Sequence, residues 1–228
     1  MNRKWLFAAA GLTAAACFFA SCSKDKKSID RNDRYLLVVL SASGPRYEGT
    51  AYTVPPLPAL PATDVAVWIT DKDGRHVKTL AVTPSVVSVG NYSHVDHLPA
   101  FAASAGVTYE ALQAETGGQM GVAPSFDAVT MASPLFESDA VRDFQAVWDM
   151  TDDAGAAVAK GNYTVWAETA NIVKNDPTIY TIRAENTSVP VDLVQEEAGT
   201  AAATAHIRSV AVSFVSDVPE PAGNILEP

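Results

Sequence analysis

Cysteine is almost missing from this chain. Of 228 residues only Cys17 and Cys22 are cysteines, and both lie in the first 22 positions. A mature domain beginning at Cys22 has no internal disulfide, so its stability must come from a packed core. About 200 residues follow, enough for one domain with a sizeable core. Basic residues are also scarce: 16 Lys and Arg stand against 26 Asp and Glu, a formal net charge of −10. Removing a leader that contains Arg3 and Lys4 leaves 14 basic against 26 acidic residues, or −12. That balance excludes the basic footprint nucleic-acid binding requires. It also excludes attachment to anionic lipid by charge alone. No phosphate-binding loop, paired carboxylates or Ser-His-Asp order stands out from the acidic turns.

What is present begins with a leader. Arg3 and Lys4 form a positive n-region, and Trp5 to Ala20 is a nearly uncharged stretch rich in alanine. It is too short for a confident membrane span and reads as a signal peptide. It ends Phe19-Ala20-Ser21-Cys22. Small residues before a cysteine resemble the bacterial lipobox, with Phe19 in place of the usual aliphatic residue. That resemblance implies lipidation of Cys22 and anchoring through acyl chains. Residues 1–21 are then a lipoprotein signal peptide and 22–34 a polar tether, with Ser23-Lys24-Asp25-Lys26-Lys27 at its start. The expected location is the bacterial cell envelope, facing the periplasm or on the outer-membrane surface.

The stretch Trp148 to Glu168 organises the rest. Phe144, Ala146 and Trp148 alternate with Gln145, Val147 and Asp149, the period of a half-buried strand. Thr151-Asp152-Asp153-Ala154-Gly155 is turn chemistry, and Tyr163, Val165 and Ala167 alternate in a second strand. Val65 to Leu80 echoes it, with Trp68, Asp71, Asp73-Gly74 and Val77. Both read as strand, acidic turn, strand. Asp71-Lys72-Asp73-Gly74 resembles the start of a calcium loop, but its twelfth position is Val82 and not Glu, so a hairpin turn is the expectation.

Tyr35 to Ala42 reads as a central strand, apolar on both faces. Four prolines between Thr53 and Thr63 favour a rigid connector. Residues 92–118 read as a short helical insertion: Leu98 to Ala105 and Thr108 to Thr116 are helical candidates separated by Gly106. His94, Asp96 and His97 are weak metal-ligand candidates there. Asp96 near a helix N-cap is the preferred reading. Thr178–Arg183, Val189–Val194 and Ala205–Val215 are further strands, and 217–228 is a proline-containing tail. The architecture expected for 35–216 is a mostly β, Ig-like or fibronectin-like sandwich with that helical insertion.

Two resemblances add to this. The Asp-Gly, Trp-Asp and Val-x-x-Gly-x-Tyr pattern in Val65–Leu80 and Trp148–Glu168 resembles the predicted periplasmic protein family called domain of unknown function 2271. It is also similar to the Ig-like domain of flagellar hook-capping proteins. In that family Trp-Asp is commonly followed by Gly; here Met150 follows. The resemblance implies an accessory of envelope redox and flavin-transfer systems. Separately, Asp127-Ala128-Val129-Thr130-Met131-Ala132-Ser133 resembles the motif that receives covalent flavin mononucleotide (FMN) on its last hydroxyl, with Met131 in place of its glycine. The functional expectation is a non-catalytic envelope lipoprotein that presents its sandwich to a protein partner, with no cofactor. The alternative is a redox protein carrying FMN at Ser133, with Asp127 and Thr130 beside it.

Overall fold

Leu36, Val38 and Leu40 alternate along Tyr35–Ala42, and that alternation builds strand β1. In the computed structural model the described residues are 34–43, 47–48, 60–61, 64–83, 95–111, 129–130, 135–136, 142–176 and 179–216. The other strands are β2 (Tyr47–Glu48), β3 (Leu60–Pro61), β4 (Asp64–Asp71), β5 (His76–Val82), β6 (Val129–Thr130), β7 (Leu135–Phe136), β8 (Arg142–Trp148), β9 (Asn162–Asp176), β10 (Ile179–Asp192), β11 (Thr200–Ala201) and β12 (Ile207–Val215). The helix α1 (Pro99–Ala105) follows a 3-10 turn at Val95–His97. None of the helices among the described residues is long and apolar enough to cross a membrane.

The fold is mostly β and has two main sheets. The smaller has the order β11-β12-β1-β8, with β1 central and antiparallel to both neighbours. The larger runs β10-β9-β4-β5-β6, and β2 also pairs with β9. Its long strands are antiparallel; the two-residue strands β2 and β6 pair in parallel. β3 and β7 form a separate two-stranded ladder, which places Leu60–Pro61 of the proline-rich connector in a strand.

One apolar core joins the two main sheets as a sandwich. The smaller sheet contributes Leu36, Val38, Leu40, Ala146, Trp148, Val210 and Val212; the larger contributes Val65, Val67, Ile69, Val165, Ala167, Val189 and Val191. Each fully buried Val or Leu contributes on the order of 1.5–3 kcal/mol of transfer free energy before entropy is charged against it. With no disulfide among the described residues, this core supplies the stability.

A second apolar cluster lies on the opposite face of the larger sheet. Ala66, Trp68 and Ala170 meet Val95, Leu98 and Phe101 of the helical segment there. So β4 and β9 are buried on both faces, and β4 reads as a continuous buried run. The insertion covers the sheet and is not a solvated excursion. Gly106 ends α1 in the left-handed region, φ 66°, as a helix-stopping glycine does.

One expectation is corrected. In place of two strands at Thr178–Arg183 and Val189–Val194 there is one 14-residue strand, β10, Ile179–Asp192. Pro190 is tolerated inside it because β10 is the edge of the larger sheet, where a missing N–H breaks no ladder bond. The Trp148–Glu168 stretch is strand, acidic turn, strand as read, and its two strands do not pair with each other. β8 belongs to the smaller sheet and β9 to the larger, so 149–161 carries the chain from one sheet to the other. The turn chemistry was nevertheless read correctly. Asp71 Oδ1 accepts the N–H groups of Asp73 and Arg75, and Asp152 Oδ1 accepts those of Ala154 and Ala156. Gly74 and Gly155 hold matching φ of 78° and 76°.

Candidate functional site

The outer face of the larger sheet carries the chemistry. Strand alternation sends Val65, Val67 and Ile69 inward, leaving Asp64, Ala66, Trp68 and Thr70 on the other face. In register beside them on β9 stand Ala170, Glu168, Trp166 and Thr164. Trp68 and Trp166 are therefore directly opposed and stack, centroids 6.1 Å apart and 11° between planes. Phe101 of α1 closes on Trp68 at 5.6 Å. Trp166 Nε1 donates to Thr70 Oγ1 at 3.0 Å. The indole N–H of Trp68 is buried and finds no partner among the described residues.

Glu168 fastens the helix. Its fully buried carboxylate accepts the backbone N–H of Ala100 at 3.1 Å and of Phe101 at 2.8 Å. These are donors of the first helical turn, which the helix itself cannot satisfy. Burial pushes the Glu168 carboxyl above its ordinary value, and the two hydrogen bonds oppose that rise. Nearby, Asp64 and His97 are both buried and pair at 3.4 Å.

Between α1 and the β4–β5 turn lies a cavity of about 160 Å³, lined by Trp68, Thr70, Gly74, Ala100, Ser104 and Trp166. His76, at the start of β5, stands behind it. His76 Nδ1 lies 3.3 Å from Ser104 Oγ, and Nε2 lies 3.1 Å from Thr79 Oγ1 and 3.4 Å from Asp153 Oδ2. The backbone N–H of Thr79 donates to the other oxygen of Asp153 at 3.2 Å, which orients the carboxylate. Burial lowers the His76 pKa, and Asp153 partly opposes this. In the tautomer that carries the ring proton on Nε2, Nδ1 is left to accept from the Ser104 hydroxyl.

A serine, a histidine and an aspartate from α1, β5 and the sheet-crossing turn therefore meet beside a cavity. The sequence reading missed this group. Its members are separated along the chain, and no spacing rule links them. The one available signal was Ser104, a hydroxyl in an otherwise apolar helix.

The residues singled out from sequence fare differently. Cys22, His94, Asp127 and Ser133 lie outside the described residues. Thr130 lies in β6, beside Val82 in register. Asp96 is exposed while His97 is buried, so the two do not converge. No group of three metal-ligating side chains occurs among the described residues. Asp96 is exposed and stands near the N-cap, two residues before Leu98, which holds that position without a side-chain cap; Glu168 satisfies the first turn from across the sheet. Trp148 is fully buried and meets the half-buried Tyr163 at 5.2 Å. A larger groove of about 530 Å³ lies at the β10–β11 end, walled by Pro190, Val191, Gly199 and Thr200 with Lys72 at its side. Comparison with known protein families, curated proteins and solved structures finds no match to this chain.

Proposed function

We propose that this chain is a bacterial cell-envelope lipoprotein, anchored through Cys22, that presents an Ig-like β-sandwich to an envelope protein partner. One observation carries the Ig-like reading. The Tyr163 hydroxyl donates to the Ala159 carbonyl four residues upstream at 2.7 Å, at the start of a strand whose tyrosine packs on the buried Trp148. That is the form of the tyrosine corner found in Ig-like sandwiches. A second detail favours the resemblance to domain of unknown function 2271. Met150 takes φ 58° at the position where that family commonly has Gly, the residue that adopts such a backbone without strain. The resemblance implies the role of an accessory in envelope redox or flavin transfer. The 530 Å³ groove at the β10–β11 end is a surface a partner segment could occupy.

Intact mass of the protein purified from its own host tests the reading. The expected species begins at Cys22 and carries acyl chains. A species that retains residues 1–21, or one unacylated at Cys22, overturns it. An added flavin at Ser133 would make the chain the carrier itself, the alternative role.

A further inference from the structure

We propose that Ser104, His76 and Asp153 form an acyl-transfer site, with Ser104 Oγ the nucleophile toward small neutral esters seated against Trp68 and Trp166. This goes beyond the presentation role above and is independent of the lipid anchor. It also assigns an activity where the sequence alone led to the expectation of none.

Two observations converge. Ser104 Oγ lies 3.3 Å from His76 Nδ1, and the Asp153 carboxylate stands 3.4 Å from His76 Nε2, the nitrogen that also meets Thr79 Oγ1 at 3.1 Å. Such distances are ordinary for a site without substrate and shorten when one binds. The carboxylate is itself fixed by the Thr79 N–H, so the imidazole has one preferred orientation. Second, Ser104 lines the 160 Å³ cavity, so its hydroxyl adjoins space that a reactant could occupy. Among the described residues no charged side chain lines that cavity, and its aromatic walls suit a short uncharged acyl group.

The chemistry balances with water as co-reactant. Ser104 Oγ attacks the ester carbonyl carbon, and its proton passes to His76 Nδ1. Collapse of the adduct breaks the ester C–O bond, and the leaving alcohol takes that proton. Water then attacks the acyl-serine, again giving a proton to His76, and the acid departs as Ser104 Oγ takes the proton back. Asp153 is a positioning residue: it holds the tautomer and stabilises the imidazolium.

A fluorophosphonate probe on the whole mature protein tests this, with hydrolysis of p-nitrophenyl acetate read in parallel. Labelling is expected at Ser104 by peptide mass, with a rate that rises with pH and then levels as His76 loses its proton. Ser104→Ala should abolish labelling; it adds one alanine to a helix already rich in them, so the fold should persist. His76→Gln should slow labelling by about 100-fold or more. Asp153→Asn should slow it and move the rising limb to lower pH, a shift that mere loosening of the turn would not produce. Absence of label on Ser104 overturns the proposal. So does an unchanged rate in His76→Gln whose near-ultraviolet dichroism matches the parent. Should that variant not fold, the Asp153→Asn profile decides: an unmoved limb overturns the proposal.

Discussion

Trp148 and Tyr163 meet edge to face across the two sheets, ring centroids 5.2 Å apart at 66°. Trp148 ends β8 in the smaller sheet and Tyr163 begins β9 in the larger, so the contact ties the sheets where the chain crosses between them. Both polar tips are satisfied by backbone of the crossing segment: Trp148 Nε1 donates to Thr151 O at 2.8 Å, and Tyr163 OH to Ala159 O at 2.7 Å. The pair therefore fixes both the packing and the path of 149–161.

Trp148→Ala is expected to cost about 3 kcal/mol, the usual loss for a large aromatic removed from a core. Tyr163→Phe keeps the ring and removes only one hydrogen bond, a cost of about 1 kcal/mol. Thermal unfolding should order the proteins as parent, Tyr163→Phe, Trp148→Ala. An unchanged Tm in Trp148→Ala would show that the pair does not tie the sheets.

Much of the strand layout was legible because alternation is a local signal. Tyr35–Ala42 and the strand ending at Trp148 form as read, and Gly106 stops α1 as expected. What escaped was set by partners far along the chain. The two acidic turns have the same hydrogen bonds, yet one joins neighbours in a sheet and the other joins two sheets. Nothing in Asp152–Gly155 encodes that difference. Glu168 alternates with Val165 and Ala167 along its strand, and nothing in that alternation shows that α1 covers it. The Ser104–His76–Asp153 group is hidden for the same reason: its members become neighbours only once the helix lies on the sheet.

The paired turns give a second test. Gly74 and Gly155 both need positive φ, and a Cβ at either would meet nothing within 4 Å. The cost of alanine there is therefore backbone strain without steric conflict, about 1 kcal/mol at each site. Gly74→Asn and Gly155→Asn should cost less, since asparagine tolerates that region better. Denaturant midpoints with unchanged m-values check this. A midpoint for either alanine variant equal to the parent's would contradict the shared turn.

Anchoring gives a third. Stable attachment needs more than one acyl chain, which a lipidated Cys22 would supply. Cys22→Ala expressed in the native host should leave the membrane fraction after a carbonate wash. Retention there would remove the lipobox from the account.

Glu168 gives the fourth, through pH. Its carboxylate is buried beneath α1, and burial raises its folded-state pKa above the ordinary 4.5. A carboxyl raised on folding holds its proton more tightly in the native state than in the unfolded chain. The stability this contributes is fully present below the unfolded value and is lost as pH rises through the folded one. In that window the unfolded chain has already released the proton the folded state retains. Other acids act the opposite way. Burial raises the Asp149 carboxyl, but hydrogen bonds from Thr151 and the charge of Lys78 outweigh it and hold that pKa down. The readout must therefore be the difference between parent and Glu168→Gln. Gln cannot titrate, so parent stability minus variant stability should fall as pH rises from the ordinary glutamate value through the raised one. The amide also presents an N–H₂ where the carboxylate offered a second acceptor to Ala100 or Phe101, so the variant carries a constant, pH-independent cost of about 1 kcal/mol. Urea melts across that range separate the slope from the offset. A difference that stays flat with pH would mean that Glu168 is not the buried, titrating fastener of α1.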